Sequence, residues 1–424
     1  MHEPTPITRT FQGACAVSGA LLLLLGAPGA WSVGLSAEAA QDVDGAAFRQ
    51  LSSDVNSAEP KVRRAALKAL TPMGPEALEP ISLLVGDPVR DIRRQAMLAV
   101  VAIYVEPPPN RRVQSAEDAF EWSPYLATPW AVPPVLVTNL VRALADEWPS
   151  ERRDAAYALG VVLTPPIEPR VADELIYSLA DRASEVRLAA VRALGRLRAA
   201  RAGDQLIGRI VDPDLDVRLA AIRAVGEIRE ARALVALGLQ LDYYRGATAG
   251  RAALDALARI AHPSSAGLFE QERFSDSGTN RRLAYEGIAR LGGIRQADAL
   301  AVEQRFTEER DREARLAMAF ALSAAGRPFR EQVVQAVADR DLADQAMEYL
   351  VEMGRAQPDA LLPYLSDRDP VVRARVAIAT GFVGGPQAEA QLSPLTQDGD
   401  PTVRRAADVA LLRIRAARQV STSR

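Results

Sequence analysis

An all-α solenoid of about eleven stacked two-helix repeats is the fold this sequence predicts, and three observations carry that expectation. The first is a phrase written twice: DRASEVRLAAVRALG from Asp181 and DPDLDVRLAAIRAVG from Asp212. In each copy an acid (Asp181, Asp212) precedes an arginine (Arg187, Arg218) by six residues, and a glycine (Gly195, Gly226) falls eight after the arginine. The second is that the acid-to-arginine frame continues both ways, at Asp87 with Arg93, Asp146 with Arg152, Asp367 with Arg373 and Asp398 with Arg404. Weaker forms occur at Ser57 with Arg63, Ser275 with Arg281 and Glu309 with Arg315; Arg251 lacks the acid, and Asp339 meets Gln345 instead of arginine. The units recur roughly every 28 to 35 residues, as stacked helical hairpins do. The third is composition: 48% hydrophobic but only 5% aromatic. Alanine and leucine fill the places bulky side chains would take, so paired helices can approach closely, and alanine costs least in a helix.

Residues 1–40 read as a targeting segment. After Arg9 no charge appears until Glu38, and Ala14 to Ala27 is a short apolar run followed by Pro28 and Gly29. A small-residue site at Ala37, Glu38 and Ala39 completes the pattern of an export signal, placing the mature chain in the periplasm. The alternative is an uncleaved anchor in the inner membrane, since a span needs about 20 apolar residues. Residues 41–420 then form the solenoid, and 421–424 a disordered tail.

In the first unit, Ala46 to Asp54 reads as the outer helix of a cap and Glu59 to Leu70 as its inner helix. Pro60 suits a first helical turn, where the missing N–H is not needed. Asp369-Pro370 and Asp400-Pro401 add an aspartate N-cap to the same device. Gly74, Gly292, Gly326 and Gly384 come eleven after their arginines and predict left-handed helix ends. Gly160, Gly195 and Gly226, eight after, predict close helix packing.

This frame resembles HEAT repeats, especially the short bacterial kind related to phycobilisome-lyase HEAT-like repeats. Asp367 to Gly381 (DRDPVVRARVAIATG) and Asp398 to Leu412 (DGDPTVRRAADVALL) come nearest to the family motif, and the resemblance covers about residues 42–417. It implies that the ladder pairs hydrogen-bond within and between repeats as structural struts.

The spacing between Arg93 and Arg152 is twice too long, so an insertion of about residues 104–134 is expected. Three prolines open it, two close it, and Trp122, Tyr125 and Trp130 lie between. So many prolines forbid a long helix. Its aromatics are of the kind that anchor interfaces; the alternative is that they plug a gap between repeats.

Position five after each ladder arginine is expected on the exposed side of the inner helix. It reads Lys68, Leu98, Tyr157, Arg192, Arg223, Ala256, Glu286, Phe320, Leu350, Ile378 and Val409. Arg192, Arg196 and Arg223 form a candidate site for an anionic partner, although a solvated charged face explains them too. Phe320, Leu350, Ile378 and Val409 offer either a protein groove or a surface buried by tight curvature.

The chain shows no catalytic constellation. Its histidines are His2 and His262, Cys15 is the single cysteine, and neither a phosphate-binding glycine loop nor a nucleophile elbow occurs. No metal or other cofactor is expected. A net charge of −3 gives no reason to expect nucleic acid. The expected function is therefore a non-catalytic scaffold, exported or membrane-tethered, that binds a protein partner through its concave face and Trp-bearing insertion. The alternative is a small-ligand or lyase-like protein resembling the bilin lyases built on such repeats.

Overall fold

The computed structural model describes residues 37–107 and 111–422. The expected export signal or anchor at 1–36 and the last two residues lie outside them. Contacts divide the chain into two units, residues 1–50 and 51–424. The first helix runs Ala37–Asp54, earlier than the expected start at Ala46. No described helix is long and apolar enough to cross a membrane.

Residues 51–424 are an α-solenoid. Its inner helices among the described residues are Pro60–Leu70, Arg90–Tyr104, Pro149–Val162, Ser184–Arg196, Leu215–Glu227 and Thr248–Ile260, then Gly278–Arg290, Arg312–Ala324, Ala343–Ala356, Pro370–Val383 and Pro401–Thr422. They define repeats 1 to 11. Each of the eleven positions in the acid-to-arginine frame lies on one of them. Successive inner helices pack on one another, and short outer helices or 3₁₀ turns cover their backs. The last inner helix continues through Thr422, into the segment expected as a tail.

Local chemistry starts and stops these helices. Asp369 accepts from the Val371 N–H at 2.8 Å and Asp400 from the Thr402 N–H at 2.7 Å, each just before a proline that opens the helix. At the other ends Gly74, Gly292, Gly326 and Gly384 take positive φ, between 72° and 107°. The equivalent residue is Arg198 in repeat 4 and Arg229 in repeat 5, at φ 49° and 54°. Gly226 and Gly381 serve packing instead: a Cβ on Gly226 would lie 2.9 Å from Ala256 Cα, and one on Gly381 2.7 Å from Ala410 Cα.

The ladder links neighbouring repeats. The Arg187 guanidinium donates to both carboxylate oxygens of Asp212 in the next repeat (3.0 and 2.8 Å) and to the backbone carbonyls of Asp181 and Arg182 in its own turn. Arg63–Asp87, Arg93–Asp146, Arg152–Asp181, Arg281–Glu309 and Arg373–Asp398 make the same link between repeats. Each acid also accepts an N–H two residues on, as Asp212 does from Asp214 at 3.0 Å, so one side chain closes a turn and ties two repeats. Arg218 meets no acid in the next repeat and holds only its own turn, through the carbonyls of Asp212 and Pro213. Arg404, in the last repeat, likewise holds Asp398 and Gly399. The frame breaks between repeats 8 and 9. There Arg315 is exposed, Arg312 takes Asp339 and Asp341, and Gln345 donates to the Glu313 carbonyl.

Candidate functional site

The insertion folds into the concave interior of the solenoid. Ser115 and Asp118 form a reciprocal capping box that starts a helix over Ala116–Leu126, short enough to carry Pro124 in its last turn. Its roots are pinned to repeat 2: Val105 and Ala127 form an isolated antiparallel bridge, and the Thr128 N–H donates to the Tyr104 carbonyl at 2.8 Å. The Trp130 indole N–H donates to the Ile103 carbonyl at 3.3 Å.

One flank of this helix lies against repeats 3 and 4. Phe120 packs over Gly160, where a Cβ would approach its ring to 2.6 Å. Its ring lies 5.2 Å from that of Tyr157, whose hydroxyl donates to Glu117 at 3.1 Å. Arg192 pairs with Glu117 and Glu121 on the insertion helix. Arg196 lies 3.5 Å from the Phe120 ring centre and donates to the Phe120 carbonyl and the Ser123 hydroxyl. Desolvation is strong enough to push the Arg196 pKa down to about 10.

The other flank reaches repeats 10 and 11. The Tyr125 ring meets Phe382 edge-on at 5.8 Å. Arg413, from the last inner helix, stacks 3.8 Å from the Phe382 ring centre and donates to the Ala127 carbonyl at 2.6 Å. Arg405 pairs with Glu106 at the insertion's root. The insertion therefore joins residues as much as 299 positions apart.

Of the six candidate partner-binding residues, Trp122, Tyr125, Trp130, Arg192 and Arg196 are brought together at this insertion, and all five are half-buried. Arg223 stays on the exposed face outside it. Position five is not uniformly exposed: Tyr157, Ala256, Glu286, Phe320 and Leu350 are buried, and Ile378 and Val409 half-buried. The cause is curvature. Repeats that are distant in sequence face each other across the interior, and the insertion fills much of what remains.

That curvature also assembles a charge network which the repeat spacing did not reveal. Arg259 of repeat 6 bonds Glu348 of repeat 9 at 2.6 Å, and Arg290 of repeat 7 bonds Glu348 and Glu352 at 3.0 and 2.8 Å. Glu286, only 2% exposed, accepts from Arg282 at 2.9 Å and from the Tyr349 hydroxyl at 2.7 Å. Desolvation raises the Glu286 pKa against the pull of Arg290 and Arg282. Glu348 is also desolvated, but Arg259 and Arg290 outweigh this and hold its pKa down. Among the described residues, no group of three His, Cys, Asp or Glu side chains is placed to hold a metal ion. The charges are matched within the protein, and the network acts as a brace.

Residues 172–242 and 358–422 match the family model for HEAT repeats. No curated protein matches the chain. Among solved structures, an engineered protein is similar at 18% identity, covering 87% of this chain and 98% of its own, with a TM-score of 0.35. The complex of CpcE and CpcF of phycocyanin lyase from Nostoc sp. is similar at 19% identity, covering 66% of this chain and 94% of its own, with a TM-score of 0.38. The two matched stretches hold the best-formed copies of the repeated frame, and there the chain carries HEAT repeats.

Proposed function

We propose that the chain is a non-catalytic scaffold, exported or membrane-tethered, that docks a protein partner mainly on its outer helices. The carrying observation is the outer helix Leu234–Tyr243 of repeat 5. It turns Val235, Leu239 and Tyr243 to solvent, 77, 65 and 82% exposed and four residues apart, while Leu237 and Leu241 face inward. One apolar edge on a single helix face is the form in which a partner helix or strand is held. The concave face expected to hold the partner is lined by the chain's own insertion and charge network, so contact through the insertion is limited to its rim around Trp122. Export or tethering rests on the apolar run Ala14 to Ala27, outside the described residues.

The test is cross-linked affinity capture from the native host envelope, with Leu239→Glu/Tyr243→Ser and Trp122→Ala variants beside the parent chain. Loss of a saturable partner in the first variant, at unchanged melting temperature, supports docking on the outer helix. Loss only in Trp122→Ala would move the interface to the insertion. Capture unaffected by either variant would overturn both assignments.

A further inference from the structure

Arg198 and Arg229 occupy, in adjacent repeats, the left-handed position that repeats 1, 7, 8 and 10 give to glycine. A side chain there carries a backbone cost that glycine avoids, so two successive arginines point to a role for the side chains. Both are exposed, and among the described residues neither makes an ion pair or a side-chain hydrogen bond. The same holds for Arg355, at the end of the inner helix of repeat 9. Elsewhere in the interior, by contrast, Arg192, Arg259, Arg282 and Arg290 are matched with acids.

Two of the three unmatched cations meet at one cavity. Arg229 and Arg355 line one cavity of about 450 Å³ together with Arg290 and Arg330. Glu352, an acid in the same lining, is already taken by Arg290 at 2.8 Å. Desolvation first, then the charges of Arg198 and Arg229, depress the Arg355 pKa against the pull of Glu352. A cation near a helix C-terminus complements the helix dipole. That accounts for one arginine at each helix end but not for two unmatched ones, from repeats 5 and 9, lining one cavity. The volume lies in the range of small-molecule sites, and guanidinium forks bind oxyanions in paired, charge-assisted hydrogen bonds.

We propose that this cavity binds a small polyanion, a molecule bearing two or more phosphate or carboxylate groups, through Arg229 and Arg355. The site is separate from the outer-helix docking face and does not depend on it.

Calorimetric titration of the full chain with inorganic pyrophosphate and, separately, citrate tests the proposal and distinguishes phosphate from carboxylate chemistry. One saturable site is expected for at least one of them, weakening as salt is raised. Arg229→Gly and Arg355→Gln should each weaken it about tenfold or more, while Arg223→Gln, a charge outside the cavity, leaves it unchanged. Arg198→Gly and Arg229→Gly restore the residue found in other repeats, so their melting temperatures should equal or exceed that of the parent chain. The proposal is overturned if neither anion binds, if Arg223→Gln weakens binding as much as the cavity variants, or if Arg229→Gly lowers the melting temperature without affecting binding.

Discussion

Arg187 shows how one residue does two jobs in this fold. Its guanidinium satisfies two carbonyls of its own turn and the Asp212 carboxylate of the next repeat, so removing it leaves an acid that is only 2% exposed with Arg209 as its one remaining cation. Arg187→Ala should cost about 3 kcal/mol, at the low end for breaking a buried pair. Arg315→Ala, at the exposed break in the ladder, should stay within about 0.5 kcal/mol. The ladder also sets a pH dependence. Desolvation pushes the Asp212 carboxyl up, but Arg187, the Asp214 N–H and Arg209 outweigh it and hold its pKa below the ordinary aspartate value. Its contribution is therefore present above the unfolded aspartate pKa of about 3.9 and lost as pH falls through the lower folded value. Urea unfolding of the parent chain and Arg187→Ala should differ at neutral pH and converge in acid. A difference as large at low pH as at neutral pH would refute the strut.

At the scale of the helix, glycine separates packing from propensity. Gly208 lies on an outer helix with nothing within 4 Å of a built Cβ, so Gly208→Ala should gain about 1 kcal/mol from helix propensity alone. Gly381→Ala has the same propensity gain but meets the backbone of Ala410 at 2.7 Å, and overpacking of about 1–3 kcal/mol should reverse the sign. Thermal melts of the two variants check this, and a stabilised Gly381→Ala would mean that repeats 10 and 11 can separate freely. Both roles of glycine were legible from spacing: eight after the arginine for packing, eleven after it for the left-handed end. The meeting of Arg229 with Arg355 at one cavity was not legible, because it links repeats far apart in sequence.

At the scale of residues 51–424, the insertion acts as an internal clasp. Arg413 spends a desolvated charge, its pKa pushed down to about 10, on the Ala127 carbonyl and the Phe382 ring. Arg413→Ala should release both partners of that contact. Amide hydrogen exchange is then expected to quicken in the insertion helix and the last inner helix together, with repeats 4 and 5 unchanged. Faster exchange in the last helix alone would mean that the insertion is held by repeats 2 to 4 and does not clasp the far end.

The sequence by itself determined the repeat. The acid, arginine and glycine recur because every unit must close the same turn and meet the same neighbour, and those contacts span only about one repeat length. It also located the insertion, from a spacing twice too long. Tertiary structure alone decided where the insertion goes and which charges it meets. Arg192 and Arg196 occupy the ladder's expected exposed side, yet they hold the insertion helix because the solenoid bends that helix into their reach. Glu286 and Tyr349 meet for the same reason, 63 residues apart. Periodicity encodes contacts between neighbours; curvature, summed over many small rotations between repeats, brings distant repeats together and carries no local signature in the chain.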